Sequence, residues 1–277
     1  MEQNKTLCEF TNADSWVILS EIEQSIKRKI ESIGTPLKDW DIQINYGIKT
    51  GFNDAFIIST EKRNEILSNC RSDEERSRTE ELIRPILRGS DIKRYSYDWA
   101  NLWLINSHNG VKGRIPRINI EEYPAVKAHL DQYWTKIKNR ADKGDTPYNL
   151  RNCAYLEDFS KPKIIYPETT QGAYFAYDEQ GGIMLDKTCF MIISDEAKFL
   201  QRILSSKLFE YAYKRIFSSI ELGPSGYQYN KHAFIKLPVI YPDAGLRETI
   251  NNSPLEEIDN IVRNLYKITE DEYVTLC

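Results

Sequence analysis

No stretch of this 277-residue chain holds the roughly eighteen consecutive apolar residues that a membrane-spanning helix requires. Its opening, Met1-Glu-Gln-Asn-Lys-Thr6, lacks the apolar core of a signal peptide, so the expected location is the cytoplasm. Histidine is scarce, and His108, His129 and His232 do not cluster. The five cysteines (Cys8, Cys70, Cys153, Cys189, Cys277) are odd in number, scattered, and never in a C-x-x-C pair. That argues against structural zinc and against a disulfide framework; free thiols in a reducing compartment are expected.

The common catalytic signatures are missing too. The nearest glycine pair to a cofactor cradle, Gly47-Ile-Lys-Thr-Gly51, reads as a hairpin turn. Ser225, in Gly223-Pro-Ser-Gly226, fails the G-x-S-x-G spacing of a nucleophile elbow and belongs to a glycine-rich loop. One nuclease-like set exists: Asp186, Glu196 and Lys198 match the two carboxylates and lysine that hold Mg²⁺ and activate water. Glu196, however, follows Ser194 at the start of a helical pattern, where an acid simply favours the helix dipole. A strand at Glu196 would support a nuclease; a helix start there would exclude one.

Excess positive charge is also lacking, since the net charge is −4. It is unevenly spread. Asp243 to Glu272 carries eight acidic and three basic residues, whereas Arg84 to Arg117 carries seven basic and two acidic. Screening limits each charge to about 8 Å at physiological salt, so a local basic patch can bind phosphates whatever the total. The richest segment is Arg84-Pro-Ile-Leu-Arg-Gly-Ser-Asp-Ile-Lys-Arg-Tyr95. Arg88, Lys93 and Arg94 gather there around one bend, with Asp91 as its cap. Long basic donors on a bend suit phosphate oxygens and guanine edges.

The apolar fraction of 41% with 28% charged residues is ordinary for a globular protein. Residues 1–13 show no periodicity and read as a tail or a linker. Leu19, Ile22, Ile26, Ile30 and Ile33 recur at helical spacing, so a helix is expected from Asp14 or Ser15 to Ile33, stopped by Gly34 and Pro36. Asp41–Ile48 and Ala55–Thr60 read as a hairpin. Helices follow at 61–69 and 73–84, a strand at 101–107 and a long helix at 121–140, with Val126, Leu130, Trp134 and Ile137 on one face. A polar loop spans 141–152. Four short strands are expected between Lys163 and Ile193, then helices from Ser194 to about Ser205 and on to Phe217. A strand at Phe234–Leu237 precedes an acidic segment with a helix from about 254 to 267. Helices and short strands mix without regular βαβ alternation. The predicted class is α+β, with mixed, mostly antiparallel short-strand sheets and flanking helices.

Four phrases stand in order: Tyr46-Gly-Ile-Lys-Thr-Gly-Phe-Asn-Asp-Ala-Phe56, Arg84 to Tyr95, Lys161-Pro-Lys-Ile-Ile-Tyr-Pro-Glu168 and Ile203-Leu-Ser-Ser-Lys-Leu-Phe209. In this order and spacing they resemble the TaqI-like C-terminal specificity domain, the target-recognition part of type IIG restriction-modification enzymes and related adenine-specific DNA methyltransferases. The resemblance runs from about Trp40 to the last helix. It implies a domain over 35–277, with 14–34 as a connector, that recognises a short duplex DNA sequence and performs no chemistry alone. The methyltransferase's glycine-rich loop and Asn-Pro-Pro-Tyr motif do not occur here. The catalytic domain is therefore expected elsewhere in a parent chain or in a partner subunit. S-adenosylmethionine, and Mg²⁺ where the parent also cleaves, would belong to that domain; no cofactor is expected in this chain. A specificity subunit like those of type I systems ranks below, because an opening helix of about twenty residues is short for their long helices.

Two polar turns suit base reading. In Tyr227-Gln-Tyr-Asn-Lys231, Gln228 and Asn230 can each bond an adenine edge, while Tyr227 and Tyr229 stack or touch phosphates; an alternative is that the tyrosines belong to a core rim. In Thr169-Thr-Gln-Gly-Ala-Tyr174, Thr169, Thr170, Gln171 and Tyr174 follow a strand. Lys49, Arg88, Lys93, Arg94, Lys112, Arg114, Arg117, Lys161 and Lys163 are expected to position phosphates, with Asn53 and Lys231 as further DNA contacts.

Overall fold

Ser20 caps the first helix: its hydroxyl accepts from the Glu23 amide while the Glu23 carboxylate accepts from the Ser20 amide. The computed structural model describes residues 19–218, 222 and 226–276. The helix runs Glu21–Ile33, so the starts expected at Asp14 or Ser15, and the tail 1–13, lie outside the described residues. Two compact units emerge, one of Met1–Ile42, Glu168–Phe175 and Ser194–Cys277, the other of Gln43–Pro167 and Ala176–Ile193.

The second unit holds two four-stranded sheets. In one, the apolar strand Cys189–Ile193 lies between Gln43–Tyr46 and Lys163–Pro167, with Ala176–Asp178 outside the latter, all antiparallel. Met191 faces Asn45 on one side and Ile165 on the other. In the other sheet Ile57–Ser59, Leu102–Ile105 and Ile83–Leu87 are antiparallel, and Met184–Leu185 runs parallel at its edge. The expected hairpin is therefore not formed, since its two strands enter different sheets. Cys189–Ile192 is buried throughout, and pairing with it gives Gln43–Tyr46 more apolar cover than a local hairpin would. Between them Asn53–Phe56 is one helical turn with Ala55 and Phe56 buried.

Helices Thr60–Ser68 and Asp73–Leu82 match their predicted places, each capped by a serine, Ser59 and Ser72. The helix expected over 121–140 is broken into a 3-10 turn Ile120–Glu122 and helices Pro124–Asp131 and Trp134–Ile137. Pro124 has no amide to donate, so a helix can start at it but not run through it. Val126, Leu130 and Ile137 are buried as expected, whereas Trp134 is 40% exposed and rests near Tyr148. Arg140 then bends back and donates to the carbonyls of Ile137, Pro147 and Asn149, pinning the 141–152 loop. Between Lys163 and Ile193 there are five short strands rather than four, the additional one being Thr169–Thr170 or Met184–Leu185.

The first unit is mainly helical. Its first helix buries Ile26 and Ile30, and its polar face bonds within the unit: Ser25 and Lys29 to Glu272, and Glu23 to the Tyr211 hydroxyl. Ala197–Leu204 and Lys207–Tyr211 follow, and the latter continues as a π-helix over Ala212–Phe217. Where a strand was expected at Phe234–Leu237, Lys231–Phe234 is a short helix, because the Asn230 side chain accepts from the His232 amide and caps it. The strand comes later, Pro238–Val239 pairing with Thr35–Pro36. Ala244–Asn252, Ile258–Leu265 and Glu270–Leu276 complete the unit. The class is α+β with mostly antiparallel, short-strand sheets.

Candidate nucleic-acid interface

Thr169–Thr170 and Tyr227–Gln228 form a two-stranded antiparallel ribbon, with Thr170 opposite Tyr227 and Thr169 opposite Gln228. The two turns singled out as base readers, 57 and 59 positions apart in sequence at their paired residues, thus become neighbours. Successive strand residues point to opposite faces, and the run Tyr-Gln-Tyr-Asn obeys that rule. Tyr227 and Tyr229 point inward, 0% and 2% exposed. They join Tyr213, Phe175 and Phe234 in an aromatic cluster with ring centroids 4.6 to 6.1 Å apart. Their hydroxyls are 3.3 Å apart, and burial pushes both well above the usual phenol range. The two tyrosines therefore support the ribbon from beneath and are not placed to stack on bases. Thr170 is buried as well, its hydroxyl bonded to the Gly172 backbone.

The outward residues are polar and include the amides. Gln171, Thr169, Asn230 and Lys231 are exposed; Gln228 and Tyr174 are half-buried. Gln228 Nε2 donates to Glu168 Oε1 at 3.0 Å, and the Tyr229 amide donates to the Glu168 carbonyl at 2.8 Å. The Tyr213 hydroxyl donates to the Gln228 carbonyl at 3.2 Å and accepts from the Asn230 amide at 3.0 Å. Tyr213 belongs to the π-helix, the kind of irregularity that re-aims side chains at functional sites. Gly226 enters the strand at φ +102°, and a Cβ there would stand 2.0 Å from the Thr170 carbonyl oxygen. Glu168 and Tyr213 escaped the sequence reading. Glu168 at least ends a recognised phrase, whereas no local pattern announces a π-helix.

The basic set behaves unevenly. Arg88 binds both carboxylate oxygens of Asp91, whose Oδ2 also accepts the Arg88 amide. The Arg94 guanidinium lies 5.1 Å over the Tyr95 ring. Arg114 pairs with Glu157, Arg117 with Asp145 and Lys161 with Asp158. Lys163 is 0% exposed; its ammonium donates to Asp178 and to the Phe159 carbonyl, and burial pulls it below the ordinary lysine range. It is a buried strut and not a surface phosphate ligand. Lys49, Lys93 and Lys112 are exposed and have no acidic partner among the described residues. Lys93 touches the Ser90 carbonyl at 2.9 Å, and exposed Asn53 accepts from the Thr50 hydroxyl.

Glu196 stands at a helix start and not on a strand, the placement that excludes the nuclease reading. Glu196 immediately precedes the helix Ala197–Leu204, and its carboxylate takes bidentate bonds from Arg247. Asp186 accepts from the amide and hydroxyl of Thr188. Among the described residues no group of three His, Cys, Asp or Glu is arranged to hold a metal ion. No helix among them is long and apolar enough to cross a membrane. Cys70, Cys153 and Cys189 are free thiols; Cys8, Cys277 and the Gly223–Ser225 part of the glycine-rich loop lie outside the described residues.

A family model described as the TaqI-like C-terminal specificity domain matches residues 84–239. The Type II methyltransferase M.BstVI of Geobacillus stearothermophilus is 24% identical over 176 residues, 61% of this chain and 28% of that protein. The Type IIL restriction-modification enzyme MmeI, solved in complex with DNA, superposes with a TM-score of 0.57 at 14% identity, covering 87% of this chain and 35% of its own. The type IIG restriction endonuclease BpuSI gives 0.55 at 16% identity, covering 86% of this chain and 28% of its own. The chain thus spans about a third or less of each of these relatives.

Proposed function

Because the chain belongs to the family of TaqI-like C-terminal specificity domains, we propose that it reads a short duplex DNA sequence on behalf of a methyltransferase or restriction catalytic domain. The observation that carries this reading is the ribbon Thr169–Thr170/Tyr227–Gln228, which joins two separate polar turns into one outward face. A two-stranded ribbon fits the major groove, and amide side chains there bond adenine N6 and N7. Gln171, Gln228 and Asn230 are the proposed readers, with Thr169, Tyr174 and Lys231 beside them. Lys49, Lys93 and Lys112, with Arg94, Arg114, Arg117, Arg88 and Asn53 contributing less, are the proposed phosphate contacts. The catalytic partner, in the same parent chain or in a separate subunit, would hold S-adenosylmethionine and carry out the transfer to adenine. In this reading the chain binds no cofactor itself and works in the cytoplasm.

The test is random-oligonucleotide selection with this chain at moderate salt. Enrichment of one short sequence, bound with steep salt dependence, is the expected result. A pool that returns unenriched would overturn the assignment.

A further inference from the structure

Glu168 stands beside the proposed readers with a chemistry none of them has. Its carbonyl accepts from the Tyr229 amide, and its carboxylate Oε1 accepts from Gln228 Nε2 at 3.0 Å. The side chain is half-exposed. Its Oε2 has no hydrogen-bond donor and its carboxylate no cationic partner among the described residues. Other carboxylates of the same unit are satisfied differently: Glu196 by Arg247, and Glu272 by Lys29, Ser25 and the Thr269 amide. Glu168 is held in place by a neutral amide, and its charge is left unmatched. An anion facing phosphate-rich DNA is unfavourable unless it meets a donor.

Resting on the DNA-reading assignment above, we propose that Glu168 is a specificity-determining residue. Its free carboxylate oxygen accepts a hydrogen bond from the exocyclic amino group of a cytosine or adenine in the major groove. An ionised carboxylate accepts and never donates. It matches cytosine N4–H and adenine N6–H, and it repels the guanine O6 and thymine O4 that take their places in the other base pairs. Gln228 is the positioning residue. One of its two N–H bonds fixes the carboxylate, while its oxygen and second N–H stay available to the same or the next base. The Tyr213 hydroxyl fixes the backbone at Gln228 and Asn230, and the Tyr229 amide holds the Glu168 carbonyl, so the pair is held rigidly enough to discriminate.

The experiment is selection with wild-type chain, Glu168→Gln and Gln228→Ala, followed by binding to every single-base variant of the enriched sequence. Wild type is expected to require an amino-bearing base, C or A, at one position of one strand. Glu168→Gln, which can donate as well as accept, should lose that preference by about five- to 150-fold at that position only. Its binding to scrambled DNA should stay equal or tighten, because a negative charge has gone. Gln228→Ala should weaken the same position. Unchanged preference at every position, or an equal loss on all sequences, would refute the role of Glu168 while leaving DNA reading intact. No enrichment by wild type would instead sink the DNA-reading assignment, and this proposal with it. If Glu168→Gln melts well below wild type, Glu168→Asp replaces it; retaining the charge but shortening its reach, it must still alter that one position alone.

Discussion

Arg88 and Lys93 share one bend but answer to different neighbours, so their replacements should separate. The Arg88 guanidinium is engaged by Asp91, whereas the Lys93 ammonium reaches only a carbonyl. Lys93→Ala should lower the slope of log K against log[salt] by about 0.9, the value for one lost phosphate contact. Arg88→Ala should change the slope less and cost about 1–2 kcal/mol of stability, because Asp91 is buried and loses a partner that is itself partly exposed. Equal slopes for the two variants would show that the Asp91 pairing does not restrain Arg88. Glu272 gives a second residue-scale expectation. Burial alone would raise its carboxyl, but Lys29, Ser25 and the Thr269 amide outweigh burial and hold it at about 2 instead of 4.5. The unfolded chain therefore binds more protons in acid, so this stabilisation is complete above pH 4.5 and lost as pH falls towards 2. Glu272→Gln should be about 1–3 kcal/mol less stable at pH 7 by urea unfolding, and the gap should close towards pH 2. A constant gap would remove the carboxylate from the account. The sequence showed where the cations were and not which were spent. Lys163 is neutralised by Asp178 because the strands Lys163–Pro167 and Ala176–Asp178 pair in one register, and charge counting along the chain cannot see that.

At the scale of elements, the local signals were legible in the sequence. Serine caps and three-to-four spacing located Thr60–Ser68 and Asp73–Leu82. Outcomes decided by distant pairing were not legible. Gln43–Tyr46 joins Cys189–Ile193 across the chain, and a two-stranded ribbon links Thr169 with Gln228. The apolar face over 126–137 was legible, but the break that Pro124 and Tyr133 impose on its helix was not. The ribbon itself depends on Gly226. Gly226→Ala should cost about 1–3 kcal/mol, because both the positive φ and the contact with the Thr170 carbonyl forbid a Cβ. Faster amide exchange at Tyr227 and Tyr229 than at the Cys189–Ile193 strand would accompany it. Wild-type exchange rates in the variant would mean the ribbon does not need this approach.

For the whole molecule, a net charge of −4 would by itself exclude few partners and select none. In the proposed reading the distribution matters instead: Lys49, Lys93 and Lys112 are exposed with no acidic partner among the described residues, and Gln171, Gln228 and Asn230 lie on or beside the Thr169–Thr170/Tyr227–Gln228 ribbon. The first would supply affinity without sequence preference, the second preference with little affinity. The direct test is therefore a ratio. The combined variant Gln171→Ala, Gln228→Ala, Asn230→Ala is compared with wild type on the selected sequence and on its scrambled version at fixed salt. The predicted result is a cognate-to-scrambled ratio at least tenfold lower in the variant, with scrambled binding almost unchanged. An unchanged ratio, or equal losses on both sequences, would contradict the claim that this ribbon reads DNA.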